Sequence, residues 1–258
     1  MAARPADGVS QPTVDLNADV GEVDDPAHLE VALLEVVTSA NIATGAHAGN
    51  PAVMDAAVTT ALRLGVRVGA HPSYPDRAGF GRRVISTSPE VLRSELLAQV
   101  GALDCIARRH KSRVHHVKPH GALYHQAATD ESVGQVVAEV VAGFADVALV
   151  TPAGSRLLGP NRVGVRTIAE AFADRGYRSD GSLVPRGEPG DILTDPAEAA
   201  EQAVSIALER RVRATDGTWT DLIAETLCLH GDTPGAPGIA LAVRNALESA
   251  GVLVEAPD

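Results

Sequence analysis

Carboxylates, histidines and a strand lysine recur in this chain at the ends of short apolar runs. Val-Asp-Leu-Asn-Ala-Asp-Val-Gly-Glu (14–22), Ser-Ala-Asn-Ile-Ala-Thr-Gly-Ala-His-Ala-Gly (39–49) and Val-Gly-Ala-His-Pro-Ser-Tyr-Pro-Asp (68–76) come first. His-His-Val-Lys-Pro-His-Gly-Ala-Leu-Tyr (115–124), Thr-Ile-Ala-Glu-Ala-Phe-Ala-Asp-Arg-Gly-Tyr (167–177) and Cys-Leu-His-Gly-Asp-Thr-Pro-Gly (228–235) follow. Neutral imidazole acts as base, acid or metal ligand. Guanidinium forks suit carboxylate or phosphate. Asp15, Asn17 and Asp19 share one strand face. If that face is buried, its carboxylates need a cation or donors; the other reading of Asp19 and Glu22 is an ordinary Asp/Gly turn.

Of nine histidines, His47, His71, His116, His120 and His230 fall at or just beyond strand ends. A barrel mouth would bring them together. His115 alternates with His116 and is expected to face the helices. His28, His110 and His125 read as surface. No metal-ligand spacing is diagnostic, and Lys118 puts a cation between His116 and His120. Asp15 with His47 and His71 could still build a metal site in space. Arg77, Arg82, Arg83, Arg175, Arg178 and Arg186 form a basic loop set in which Gly-Phe-Gly-Arg-Arg (79–83) is the strongest ligand candidate.

The elements that position these groups read as repeated β-then-α units. Strands are expected at 13–17, 39–43, 66–70, 114–118, 147–150, 163–169 and 225–229. Helical patterns run over 26–37, 51–64 and 196–210, and from 89 with Leu92, Leu96, Val100, Leu103 and Ala107 as the buried stripe. Val133, Val136, Val137, Val140, Val141 and Phe144 mark another helix, and Ile239, Val243, Ala246, Leu247 and Ala250 the last. A short turn at 153–158 and long loops at 72–88 and 171–194 interrupt the pattern. Right-handed crossovers then require a parallel sheet. Polar residues at nearly every strand end favour a barrel over an open sheet, which concentrates ligand groups at one switch point. The expected architecture is α/β, a distorted seven-stranded TIM-like (βα)7 barrel. It occupies 13–258 as a single catalytic domain after a disordered leader, 1–12.

The net charge of −11 argues against nucleic acid or an anionic membrane as partner. Neither lysine, Lys111 or Lys118, follows a glycine, so no Walker A loop is present. Cys105 and Cys228 are too few for a disulfide framework, and no signal peptide or membrane span is legible. A cytoplasmic location is the default expectation.

These motifs, in this order, resemble the LamB/YcsF family, the A component of the bacterial ATP-hydrolysing 5-oxoprolinase. The resemblance covers Val14 to about Asn245. It implies a seven-stranded barrel related to the polysaccharide deacetylase fold, and cleavage of 5-oxo-L-proline to L-glutamate coupled to ATP hydrolysis, with separate subunits B and C. Mg²⁺ would accompany ATP, and no tightly bound transition metal is expected. On this reading catalysis falls to Asp15, His71, Lys118, His120 and Glu170. Substrate binding falls to Asn17, Asn41, His47, Arg82, Arg178, His230 and Asp232. The sequence departs from the family pattern at Thr44, where a cysteine is usual, and at Ala46, where a bulky aromatic is usual. A nucleophilic cysteine at 44 is therefore not essential here. Two other readings fit the same residues: a metal-dependent deacetylase or amidohydrolase, and a non-catalytic small-molecule-binding subunit.

Overall fold

Proline and a hydroxyl, carboxamide or carboxylate side chain start three of the main helices. Asn50 Oδ1 accepts from the amides of Ala52 and Val53 ahead of Pro51. Ser88 caps the helix opened by Pro89, and Asp195 the one opened by Pro196. In the computed structural model, which describes residues 11–28, 30–159, 162–231 and 235–257, these caps delimit a regular alternation. The elements are β1 (Thr13–Val20), α1 (Val31–Leu34), β2 (Ser39–Ala43), α2 (Pro51–Leu64), β3 (Arg67–His71), α3 (Pro89–Arg109) and β4 (His116–Val117). Then come α4 (Gly121–Thr129), α5 (Glu131–Ala142), β5 (Ala148–Pro152), β6 (Thr167–Phe172) and α6 (Pro196–Val204). The chain continues with β7 (Arg211–Arg213), β8 (Trp219–Asp221), β9 (Thr226–Leu229), α7 (Ala236–Ser249) and β10 (Leu253–Val254).

Strands β1 to β6 and β9 pair in parallel, and β9 returns to β1 through Asp15↔Thr226 and Ala18↔Leu229. The sheet is therefore a closed seven-stranded barrel, as expected. β10 adds to the start of β1 at Thr13 and Val14. One strand face packs outwards on the helices: Leu16, Ala18 and Val20, Ala40 and Ile42, Val68 and Ala70, and Leu227 and Leu229 join the main apolar core. The stripe Leu92, Leu96, Val100, Leu103 and Ala107 of α3 is buried against it. Burial here contributes roughly 25 cal/mol per Å² of apolar surface. The opposite strand face carries the polar residues, so the barrel lumen is polar while the barrel–helix interface is apolar.

That inversion explains the misplaced boundaries. β1 runs on to Val20, beyond the expected end at Asn17, because polar residues there line the lumen rather than end the strand. β6 is Thr167–Phe172 instead of 163–169, with Glu170 inside it for the same reason. β4 is shorter than expected, although Lys118 N still donates to Ala70 O at 2.9 Å. The helix expected over 26–37 is split into a 3-10 turn at Pro26–His28 and the four-residue α1. Glu30 gives α1 no side-chain cap, and its carboxylate instead accepts from the Gly21 amide. The helix expected over 196–210 ends as α6 at Val204 and continues as a π turn, Ser205–Glu209. The antiparallel pair β7–β8 was missed, although Asp216-Gly217 between its strands is a hairpin signal. The leader expected at 1–12 falls almost wholly on residues outside those described.

Candidate active site

The lumen is built in layers. At the bottom, Asp15 is 3% exposed. It accepts from the hydroxyls of Thr38 (2.6 Å), Ser39 (2.8 Å) and Thr226 (2.5 Å). Burial raises its pKa, against the pull of those three hydroxyls. The structure does not bring Asp15 to the mouth, where its motif placed it among catalytic groups. Its role is one of positioning: Thr226 Oγ1 also accepts from Asn17 Nδ2 at 2.7 Å, and the same amide donates to Glu170 Oε1 at 3.0 Å. Asn17 Oδ1 accepts from Asn41 Nδ2 at 2.7 Å, and Asn41 Oδ1 from His116 Nε2 at 2.8 Å. Asn17 and Asn41 therefore belong to the scaffold under the site. His116 fits because β3 carries glycine opposite it; a Cβ on Gly69 would lie 2.0 Å from His116 Nε2. Among the described residues, no buried side-chain nitrogen or oxygen lacks a hydrogen-bond partner.

Above this layer sits Lys118, 3% exposed. Its ammonium lies 2.9 Å from Asp19 Oδ1, 2.9 Å from Glu170 Oε1 and 3.0 Å from Cys228 Sγ. Burial opposes the charge, but Asp19 foremost holds the lysine pKa well above its usual value. Asp19 in turn stays ionised despite burial, held low first by His71 and then by Lys118. Burial foremost pushes the Cys228 thiol up, so it meets Lys118 as a neutral acceptor. Tyr124 donates its hydroxyl to Glu170 Oε2.

Three histidines form the other wall. His47 and His120 stack with ring centroids 3.8 Å apart, and His71 meets both edge-on. His71 Nε2 is 3.3 Å from Asp19 Oδ2 and 3.0 Å from His120 Nδ1. Burial opposes the His71 charge, but the Asp19 carboxylate raises its pKa overall. His47 and His120 are both pushed down to about 3, by burial first and then by the neighbouring His71. Glu22 Oε1 approaches His47 Nε2 at 3.2 Å and His120 Nδ1 at 3.4 Å. Phe80 adopts a left-handed backbone (φ 54) between Gly79 and Gly81, and its carbonyl accepts from His120 Nε2 at 2.8 Å. Gly81, at φ 65, leaves no room for a Cβ, which would sit 2.8 Å from His120 Cδ2.

A cavity of about 80 Å³ at the mouth is lined by Asp19, Glu22, His71, Lys118, His120, Tyr124 and His230, with Arg82, Arg175 and Arg186 at its edges. A larger cavity of about 860 Å³ lies by the β5–β6 connection, and its lining offers neither histidine nor lysine. Of the histidines and the lysine singled out in the sequence, His71, Lys118, His120 and His230 line the smaller one.

Five of the expected residues line this mouth, His71, Arg82, Lys118, His120 and His230, and Glu170 is held against Lys118. His47 stands directly behind them. His230 stacks on Phe172 and its Nδ1 pairs with Asp174 at 3.0 Å. Arg82 reaches the mouth, its guanidinium 5.0 Å above the Phe80 ring. Arg178 does not; it makes a half-exposed ion pair with Glu188 at 2.8 Å. Arg77 and Arg83 pair with Asp24 and Asp76 and hold loops. Asp232 lies outside the described residues. His115 is absent from the mouth, as expected from strand alternation. Thr44 is buried and donates to Gln99 Oε1 at 2.9 Å, a packing role behind Ser73.

For Asp19 and Glu22 the sequence allows both a site and a turn; in the structure both line the cavity. The shared parity of Asp15, Asn17 and Asp19 was the available signal. Tyr124 and Asp174 were missed. Nothing in local spacing shows that a residue on α4 reaches Glu170 across the barrel.

Comparison with known proteins shows the family and the fold. A family model described as the LamB/YcsF family matches residues 14–258. The chain belongs to the LamB/YcsF family. A LamB/YcsF relative from Chloroflexus aurantiacus, named as the A component of 5-oxoprolinase, is 47% identical over 249 residues, covering 95% of this chain and 98% of its own. A second of the same name, from Pyrococcus horikoshii, is 43% identical over 245 residues, covering 93% and 96%. The crystal structure of the lactam utilization protein from Thermus thermophilus superposes with a TM-score of 0.88 at 43% identity, covering 95% of this chain and 100% of that one.

Proposed function

We propose that this chain is the A component of a multi-subunit 5-oxoprolinase, cleaving 5-oxo-L-proline to L-glutamate with ATP hydrolysis. The observation that carries the reading is the buried Lys118 ammonium between Asp19 and Glu170 at the mouth of the barrel, in a chain alike over nearly its whole length to relatives named as that component of 5-oxoprolinase. A five-membered lactam is resonance-stabilised and resists direct attack. Phosphorylation of its amide oxygen by ATP, carried with Mg²⁺, makes the ring carbon electrophilic. Water then adds, the C–N bond breaks to give γ-glutamyl phosphate, and a second water hydrolyses this acyl phosphate, giving glutamate, ADP and phosphate. Lys118 is placed to meet the charge that develops on oxygen. Asp19, held ionised, is placed to take a proton from water, with His71 and His120 on the facing wall. Arg82 and Arg186 line the edge where a substrate carboxylate enters. Subunits B and C supply the remaining machinery, in keeping with the absence of a Walker A loop from this sequence.

The test is glutamate release from 5-oxoproline, with and without ATP and with and without the partner subunits. We expect release only when ATP and the partners are present together. Release from an N-acetylated sugar without ATP, and none from 5-oxoproline with the full set, would overturn the reading.

A further inference from the structure

The histidine wall has a hydrogen-bond arrangement that the lactam reading does not explain. Ser73 gives its only hydroxyl proton to the Tyr74 carbonyl at 2.8 Å. In that arrangement it accepts from His47 Nδ1, 3.0 Å away. The Phe80 carbonyl accepts from His120 Nε2, and the Lys118 carbonyl accepts from His71 Nδ1 at 2.7 Å. Each imidazole thus has an N–H committed outwards to an oxygen that only accepts there. A neutral imidazole has just one N–H. With the imidazoles neutral, the inward nitrogens, Nε2 of His47, Nδ1 of His120 and Nε2 of His71, then present lone pairs to one another, to Glu22 Oε1 and, from His71, to Asp19 Oδ2 at 3.3 Å. One proton can bridge His71 and His120. It leaves His47 Nε2 facing a carboxylate oxygen at 3.2 Å, acceptor against acceptor.

We propose that Glu22, His47, His71 and His120 bind one first-row divalent metal ion, zinc or a close relative in the transition series. All four donor atoms lie within 4.8 Å of one another. A tetrahedral ion with bonds of roughly 2.05 Å has donor–donor edges of about 3.3 Å. Four of the six edges, at 3.0, 3.2, 3.4 and 3.9 Å, bracket that length, and all six are within 4.8 Å. The outward hydrogen bonds hold the imidazoles from behind as outer-shell partners of metal ligands do, and because the His47 and His120 rings stack in parallel, a shared ion requires one of them to tilt so that its in-plane lone pair meets it. Three nitrogens and one carboxylate oxygen suit zinc, iron, cobalt or manganese rather than magnesium or calcium, which prefer oxygen throughout. A second group of donors, Asp19, Cys228 and His230, is close enough to hold an ion, but the Lys118 ammonium already occupies it. The histidine site opens onto the same cavity, where a bound ion would polarise a carbonyl or acidify a water beside Asp19. This departs from the metal-free expectation drawn from spacing. The four ligands come from the loops after β1 and β2, the last residue of β3 and the N-cap of α4, so linear spacing carries no trace of them.

The experiment is metal binding by the purified full-length chain after chelator treatment, without substrate, so its outcome is independent of the lactam reading. Cobalt(II) serves as the spectroscopic probe, with zinc(II) as competitor and magnesium(II) as control. We expect one equivalent of cobalt, with the strong visible bands of a four- or five-coordinate site, displaced by zinc and not by magnesium. His47→Gln and His120→Gln should each weaken zinc binding at least about 100-fold, and Ser73→Ala by about 10-fold or more, the scale of losing an outer-shell partner. His115→Gln should bind like the wild type. If a ligand variant fails to fold, the wild-type cobalt spectrum decides alone: only the weak spectrum of the hexaaqua ion overturns the proposal. So does zinc binding that survives both ligand substitutions in folded protein.

Discussion

Lys118 keeps its charge in a buried site because three groups receive its three protons. Asp19 and Glu170 bring the negative charge, and Cys228 the third acceptor. Removing the ammonium leaves two carboxylates facing each other, a situation that costs on the order of 3–5 kcal/mol when a buried pair is broken. We therefore expect Lys118→Met to be less stable by urea denaturation, and to lose at least about 100-fold in turnover of the assembled complex where it folds. Lys118→Arg retains the charge but not the shape, since a planar fork cannot occupy a pocket shaped for a compact ammonium. It should show a comparable turnover loss. Near-wild-type turnover by either folded variant, measured as ATP-dependent glutamate release, would remove Lys118 from the mechanism. Asp15 shows the limit of residue-level reading. Its acidity and strand position were legible, but not that three hydroxyls already surround it one layer below the mouth.

At the scale of elements, β3 and β4 are matched through one missing side chain. Gly69 stands opposite His116 in the parallel register, and the imidazole fills the space where a Cβ would be. Gly69→Ala should destabilise by roughly 1–3 kcal/mol, the usual range for overpacking a filled core. The loss is read from the urea midpoint. Pairing it with His116→Ala should recover part of that loss, since the clash partner is gone; strictly additive losses would show that the two residues do not share this space. The stripe on α3 was legible because it depends on neighbours within one or two helical turns. The short β4 and the split before α1 were not. Their ends depend on partners from distant strands, and on a Glu30 carboxylate that turns to Gly21 instead of serving its own helix.

For the whole molecule, acid stability follows from the buried histidines. His47, His116 and His120 are each pushed down to about 3, chiefly by burial. Unfolded, a histidine takes up a proton near pH 6.5, whereas these folded ones resist it. The unfolded state therefore binds more protons between about pH 6.5 and 3, and stability must fall as pH is lowered through that window. The slope is about 1.4 kcal/mol per pH unit for each such histidine. Asp15, with a raised pKa, contributes in the opposite sense, its share being lost as pH rises. Urea midpoints from pH 7 to 4 should decline steeply, and His116→Gln should flatten the decline. An unchanged slope would mean that His116 is not held neutral. We also expect the purified chain alone to release almost no glutamate from 5-oxoproline and ATP; robust turnover without partner subunits would contradict the multi-subunit reading.

By itself the sequence determined the βα alternation, the barrel class, the family and most of the groups that meet at the mouth. These rest on periodicity and on motifs whose parts lie within a few residues of each other. Tertiary structure alone decided which polar residues act at the mouth and which brace the lumen beneath it. Closing β9 onto β1 put Asp15 under a lid of hydroxyls and left Asp19 open to the cavity, though the two share one strand face. The same closure carried Tyr124 to Glu170 and drew Glu22, His47, His71 and His120 within 4.8 Å of one another. A strand's period of two sets which face a side chain takes. How deep it sits, and what it meets from the far side of the barrel, depends on register and closure, which no local stretch of sequence encodes.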